Sequence, residues 1–464
     1  MMIDDCREFL LELEKRDRLK KIDVPVDKDW EISCIARHAM KLPTKERSAI
    51  LFENVRGFKY PVLINAFASH EMYAIGMEST IEGIHELWHS ALQKPLEPEL
   101  VNSASCKENV LLGDKVDLNI FPHIISTPKK DAGPYITAGC VVTKDPETGG
   151  RNVGIYRCMI KSKNKLGIHM APANHGNIIY SKYEERDKPM EVAIVIGTPP
   201  TVTMAAVARV PFGVDELAVS GGLGKSPLKV VKCETVNLEV PANSEIVIEG
   251  EIPPKLKEPE GPFGEFFGYM GEEIMSPVVN VKGITYRNDP IYQVLLQQTS
   301  PNEGNILKDV AMEAILTWTF KIIGIPRVTG IHIGETSAGE SVVVGIKKIY
   351  PGHVLAVAQA CWAAYPLAFK QIIVVDGDCD IFDPADVEWR IATCVQPDRD
   401  IYIVPNFAGS ALDPSIPKER QGQGSKVCID ATRKFKYPKV ALPPKELLHK
   451  VKQQWGSYGL PEFS

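Results

Sequence analysis

Residues 135–160 read YITAGCVVTKDPETGGRNVGIYRCMI. Two runs rich in β-branched and aromatic residues flank KDPETGG (144–150), a turn signature of Asp, Pro and Gly, so the segment reads as a β-hairpin. Further β-type runs follow in MEVAIVIG (190–197), EIVIEGEI (245–252) and PIYQVLLQQ (290–298), with Gly, Pro and Asn between them. The stretch 116–305 is therefore expected to form a β-barrel or strongly curved sheet.

Outward from this centre the patterns change. In residues 1–115, helical periodicities at 4–16, 29–41 and 79–94 alternate with the strand-like SAILFENV and PVLINAF, which suggests an α+β region. In residues 306–464, QIIVVD (371–376) precedes Asp383 as N-cap, Pro384 at the first helical position, a helix over 385–395 and the strand IYIVP. That order predicts a βαβ unit in an α/β domain.

The chain has 464 residues, 44% hydrophobic and 24% charged, with a net charge of −6 spread without blocks. This balance points away from a nucleic-acid or membrane-surface partner and toward small-molecule chemistry. The start, MMIDDCREFLLELEKRD, is an amphipathic helix charged throughout, unlike a signal peptide or a membrane span. Ten scattered cysteines without a C-x-x-C pair read as reduced thiols, and a cytoplasmic location is expected.

Three short motifs have bland explanations. His85-Glu86-Leu87-Trp88-His89 satisfies H-E-x-x-H on a predicted helix, but no third zinc ligand is evident, and helix-surface residues are the better reading. GGLGKS (221–226) imitates the end of a phosphate-binding loop, yet Val219 stands where the first glycine is needed, so it reads as a loop. Asp376, Asp378 and Asp380 begin like a calcium loop, but Ile381 and Val387 occupy the required glycine and glutamate positions.

More informative is EGPFGEFFGYM (260–270), where Glu260 and Glu265 straddle Gly-Pro-Phe-Gly. That spacer excludes helix interior and central strand, and it turns the chain tightly. Upstream, RNVGIYR places Asn152 and Arg157 on one predicted strand, NHG (174–176) contains His175, and VDELAVSGG puts Glu216 before a glycine turn. Asn, His and Glu offer nitrogen and oxygen ligands suited to Mn²⁺ or Mg²⁺, above all an ion that also touches phosphate, while Arg157 suits carboxylates; on pattern alone Asn152 reads equally as a turn residue, His175 as a surface loop histidine and Glu216 as a solvated charge. In a regular strand Asn152 and Arg157, five apart, face opposite sides; either Asn152 lies where the strand begins or Gly154 marks a bulge.

With RNVGIYR and EGPFGE together, the sequence resembles the UbiD family of decarboxylases, which use prenylated FMN. The resemblance extends through AILFENV, DAGPYITAG, VVTKDPETGGRNVGIYR, EVPANSEIVIEGEI, DIFDPADVEWRIAT and GSKVCIDATRK. It implies an α+β multidomain fold: an N-terminal α+β region (1–115), a central split β-barrel that binds the flavin (116–305), and a C-terminal α/β oligomerisation domain with a terminal helix (306–464).

Carried onto this chain, the family pattern makes Arg157, Glu260 and Glu265 the catalytic Glu-Arg-Glu network. Gly154, Ile155, Tyr156 and Asn174 would line the cofactor. Asn152, His175 and Glu216 would hold Mn²⁺ or Mg²⁺ at the flavin phosphate, with K⁺ alongside, and Lys426 would contact that phosphate. His169 competes with His175, depending on how KNKLGIHMAPA is aligned. The expected reaction is reversible non-oxidative decarboxylation of an aromatic, heteroaromatic or α,β-unsaturated acid, releasing CO₂. A flavin prenyltransferase would supply the cofactor to a homo-oligomer, dimer or hexamer. The segment LLQQTSPNEGN (295–305) lacks the histidines and arginines that some members direct at a ring substituent. Three rivals are a plain flavoprotein oxidoreductase, a cofactor-binding subunit of a larger carboxylase complex, and a zinc hydrolase through His85, Glu86 and His89.

Overall fold

A computed structural model describes residues 3–420 and 422–460. Its largest sheet has the hydrogen-bonded order Tyr135–Ile136, Cys158–Ser162, Lys165–Ile168, Ile274–Tyr286, Ile246–Ile252, Met190–Ile196, Cys140–Lys144, Arg151–Ile155. The predicted hairpin is its last pair, with Val141 opposite Gly154 and Thr143 opposite Asn152. The 13-residue strand Ile274–Tyr286 is the spine, since Asn109–Leu112 and Lys257–Glu260 also pair with it.

This sheet is rolled. Arg151–Ile155 ends the path on one side, yet the next strand, Cys158–Ser162, stands second from the opposite end, only Tyr156 and Arg157 intervening. Three Cα steps reach at most about 11 Å, so the two ends lie beside each other. A second crossing, residues 137–139, joins Tyr135–Ile136 to Cys140–Lys144 in the same way. The expected split barrel is therefore an open path whose split is bridged by chain instead of a ladder.

The crossing also resolves the five-residue conflict. Register in the hairpin is regular through Gly154, so there is no bulge there. The strand stops at Ile155, and alternation does not carry through to Arg157.

A mixed sheet of Leu19–Ile22, Ala49–Phe52, Val62–Ile64 and Tyr292–Gln293 represents the N-terminal α+β pattern. The C-terminal sheet runs Val328–Ile333, Ser341–Ile346, Gln371–Asp376, Gln423–Ala431, Ile401–Ala408. Asp383 caps the Pro384–Cys394 helix as expected, its side chain accepting from the Ala385 N–H. The βαβ expectation is corrected. Ile401–Ala408 is an edge strand antiparallel to Gln423–Ala431, which separates it from Gln371–Asp376. Pro405, which has no amide to donate, and a register shift between Val404 and Phe407 suit that edge. The parallel unit is instead Ser341–Ile346, helix His353–Ala364 and Gln371–Asp376.

GGLGKS is also corrected: Gly221 and Gly222 lie inside the Glu216–Leu223 helix. A Cβ on Gly222 would stand 2.8 Å from Ala91 Cα, so glycine here closes the contact with the Ile84–Gln93 helix. Gly222→Ala should therefore lower the melting temperature despite alanine's better helix propensity, overpacking being worth about 1–3 kcal/mol. Gly224→Ala, whose nearest neighbour is 3.5 Å away, should stay within about 0.5 kcal/mol of the parent. Equal melting temperatures for Gly222→Ala and the parent would contradict this packing.

Candidate functional site

The two glutamates belong to a hairpin on the spine, Glu260 at its strand end and Glu265 within its loop. Glu260 ends the Lys257–Glu260 strand opposite Ile274, and residues 261–273 form the loop between them. Gly261 has φ +91°, and a Cβ there would lie 2.7 Å from Glu272 O. Hydrogen bonds pin the loop: Ala132 N–H donates to Pro262 O at 2.9 Å, Gly264 N–H to the Asp131 carboxylate Oδ1 at 2.9 Å, and, within the loop, Gly271 N–H to Phe263 O at 2.8 Å.

Both carboxylates converge on Arg157. Its Nε and Nη2 donate to Glu260 Oε1 and Oε2 at 2.9 and 2.7 Å, a bidentate pair with Glu260 fully buried. Its Nη1 donates to Glu265 Oε1. Burial opposes charge on Arg157, and the two glutamates overcome it and raise its pKa. Burial raises Glu265 above the ordinary carboxyl range, and Arg157 only partly offsets this, with Glu260 and Asp131 adding to the upward push. The two acids are thus unequal: both Glu260 oxygens are engaged by the guanidinium, whereas Glu265 offers it one. Phe263, between them in sequence, lies under the guanidinium at 5.0 Å and against Tyr135 at 4.5 Å.

On the other side of Tyr156 lies a cavity lined by Asn152, Gly154, Ile155, Tyr156, Asn174 and His175, with Glu216 and Arg209. All three predicted metal ligands therefore share one space. Glu216, the first residue of its helix, accepts from Asn152 Nδ2 at 2.9 Å and from the Val153 N–H at 2.8 Å. Burial nevertheless pushes its pKa up to about 8. Asn152 Oδ1 is buried without a hydrogen-bond partner. An orphaned amide oxygen, a buried carboxyl without a cation and an imidazole on one cavity fit a hard or borderline divalent ion. His175 begins the His175–Glu185 helix, packs edge-on against Phe212 at 5.1 Å, and has its pKa lowered by burial and then by Arg209. Tyr156 sets this helix start, its hydroxyl accepting the Gly176 N–H at 3.1 Å.

His169 lies elsewhere. Its N–H donates to Arg157 O at 3.2 Å, and burial, then the Arg157 charge, lowers its pKa to about 4. Lys426 is not brought to the cavity of Asn152 and Glu216. It donates to Ala368 O and lines a separate cavity with Glu340, Lys370 and Asp413. The cation at the Asn152 cavity is Arg209, exposed at its rim, which sequence reading missed because ARVPFG carries no motif. Asp131 in DAGPYITAG and Phe263 in EGPFGE also belong to the site, although neither residue type marks it in the sequence. His85 and His89 gather no third ligand together among the described residues.

Three family models match the chain: the N-terminal domain of 3-octaprenyl-4-hydroxybenzoate carboxy-lyase over residues 10–90, its Rift-related domain over 99–299 and its C-terminal domain over 307–431. An uncharacterised Synechocystis protein, sll0936, is 33% identical over 497 aligned residues, covering 100% of this chain and 97% of its own. The UbiD-class enzyme HmfF from Pelotomaculum thermopropionicum, solved with FMN, superposes with a TM-score of 0.87 at 34% identity, covering 96% of this chain and 98% of its own. The closed form of Sedimentibacter hydroxybenzoicus vanillic acid decarboxylase gives 0.87 at 30% identity, with 98% and 99% covered.

The loop geometry makes its own prediction. A Cβ on Gly264 would lie 2.3 Å from Thr127 Oγ1. Gly264→Ala should destabilise by about 1–3 kcal/mol. The double variant with Thr127→Ala, which removes that oxygen, should recover part of the loss in a double-mutant cycle read by denaturant unfolding. Strict additivity would show that the two residues do not meet.

Proposed function

The chain belongs to the UbiD family, and from that premise we propose that it catalyses the reversible, non-oxidative decarboxylation of an aromatic, heteroaromatic or α,β-unsaturated carboxylic acid with prenylated FMN as cofactor. The observation that carries this reading is the part-buried arginine shared by two unequal glutamates. When bound, the flavin supplies the electron sink that loss of CO₂ requires. The protein's own groups then have to manage one proton and one orientation.

In decarboxylation the bond between carbon and carboxylate breaks, CO₂ leaves with its carbon at full oxidation level, and the vacated carbon takes a proton. Glu265 is suited to deliver it. Its raised pKa lets it carry a proton nearer neutral pH than an ordinary glutamate, on Oε2, the oxygen that Arg157 does not engage. Carboxylation runs the same transfer backwards, with Glu265 as base. Glu260 holds Arg157 in place, and Phe263 covers one face of the guanidinium and limits access of water to it. Asn152, His175 and Glu216 would hold Mn²⁺ or Mg²⁺, whose charge would offset that of the flavin phosphate, with Arg209 rather than Lys426 as the protein cation at that end.

Two experiments test this, on protein produced together with a flavin prenyltransferase. Glu265→Gln should lower turnover by about 10²–10⁴-fold and abolish deuterium exchange from D₂O at the departing-carbon position, with flavin content unchanged. Parent rates of turnover and exchange would refute the proton role. Separately, flavin and metal should be lost together from His175→Ala and retained in His169→Ala. Flavin should be depleted in Arg209→Ala and near the parent level in Lys426→Ala. Undiminished flavin and Mn²⁺ in His175→Ala would overturn the ligand assignment.

A further inference from the structure

Away from the Asn152 cavity, three separate elements bring imidazoles to one buried carboxylate. Glu313, midway along the Glu303–Ile323 helix, is 2% exposed. Its Oε1 accepts the Ile333 N–H at 2.6 Å and faces His332 Nδ1 at 3.1 Å. Its Oε2 faces His70 Nε2 at 3.7 Å and His85 Nε2 at 3.9 Å. His70 begins the His70–Gly76 helix, His85 lies in Ile84–Gln93, and His332 in the strand Val328–Ile333. Ligand atoms of His70, Glu313 and His332 all lie within 4.8 Å of one another.

A buried carboxylate needs a positive partner. Every ion-pair partner of Glu313 among the described residues is a histidine, which is neutral unless protonated. Among the described residues His70 Nε2 is buried and makes no hydrogen bond, and 3.7 Å is too long for one to Glu313. That separation is instead close to the spacing of two donors on one tetrahedral ion, roughly 3.4 Å for bonds of about 2.1 Å.

We propose that His70, Glu313 and His332, with His85 as the fourth donor, bind a divalent transition ion of the zinc class that ties the two helices and the strand to the Glu303–Ile323 helix. Imidazoles with one carboxylate suit zinc, whereas the Asn152 set, richer in oxygen, suits manganese or magnesium. Four protein donors leave no open position, so the ion's role is structural. Half of the H-E-x-x-H motif is thereby used: His85 turns to Glu313, and His89 takes no part. The competing occupant is a proton. Burial disfavours both the Glu313 carboxylate and a charged His70; His332 first, then His70 and His85, nevertheless hold Glu313 well below the usual range, and Glu313 in turn holds His70 above its own.

The test uses the full chain without a histidine tag, stripped with a chelator and titrated with Zn²⁺ by calorimetry. The parent should bind one equivalent more than His332→Ala, and both His175→Ala and His89→Ala should keep that equivalent. Glu313→Gln should weaken its binding by about 10²-fold or more, at least the upper end of what loss of an outer-shell partner costs. Zn²⁺ should raise the melting temperature of the stripped parent and not that of His332→Ala. Co²⁺ in the same site should show the intense visible bands of tetrahedral coordination. Should His332→Ala fail to fold, His70→Ala and Glu313→Gln carry the comparison. Zinc binding that is absent from the parent, unchanged in these variants, or lost with His89→Ala would overturn the proposal, leaving a protonated histidine cluster.

Discussion

Everything at this site depends on how the chain crosses the seam of the rolled sheet at Tyr156 and Arg157. One strand ends at Ile155 and the next begins at Cys158 beside the other end of the path, and the two residues between them meet different neighbours. Tyr156 packs toward the cavity of Asn152 and Glu216 and fixes the start of the His175 helix. Arg157 meets the glutamate hairpin that grows from the spine strand. The fully buried Glu260 carboxylate left without its guanidinium would be destabilising by about 3–5 kcal/mol, so the hairpin and the seam hold each other in place.

This arrangement explains which parts of the fold were legible in the sequence. The hairpin at 140–155 and the cap at Asp383 are set by residues in direct sequence contact, and turn and capping chemistry suffices to read them. The conflict between Asn152 and Arg157 could be noticed but not resolved, because the strand break follows from closure of the whole sheet. Likewise, Ile401–Ala408 looks like the second strand of a βαβ unit until Gln423–Ala431, later in the chain, inserts between it and Gln371–Asp376. Glycines mislead for a related reason: Gly221 and Gly222 signal a loop by composition, yet they serve a close helix contact that only the partner helix reveals.

The candidate site was legible to the extent that its residues sit in short motifs. Arg157, Glu260 and Glu265 meet, and Asn152, His175 and Glu216 share one cavity. His169 and His175 could not be separated in sequence because the intervening loop has no periodicity; in space one is beside Arg157 and the other beside Glu216. Lys426 carries a motif but faces another cavity, while Arg209 carries none and stands at this one.

Buried glutamates connect these observations. Glu245 is paired with Arg7 and Arg287, and Glu260 with Arg157. Among the described residues Glu249 and Glu303 have no such partner and are met by backbone amides: Glu234 and Thr235 for the first, and Asn65, Phe67 and Leu296 for the second. Even with those amides, burial pushes Glu303 up to about 7. Glu216 and Glu313 fit neither solution. Each accepts a single backbone amide from another segment, and each is faced by side chains that carry no permanent charge, an asparagine in one case and histidines in the other. A fold that supplies arginines or clustered amides to its other buried glutamates has left these two with donors that ligate cations, and a cation is the partner that would satisfy both.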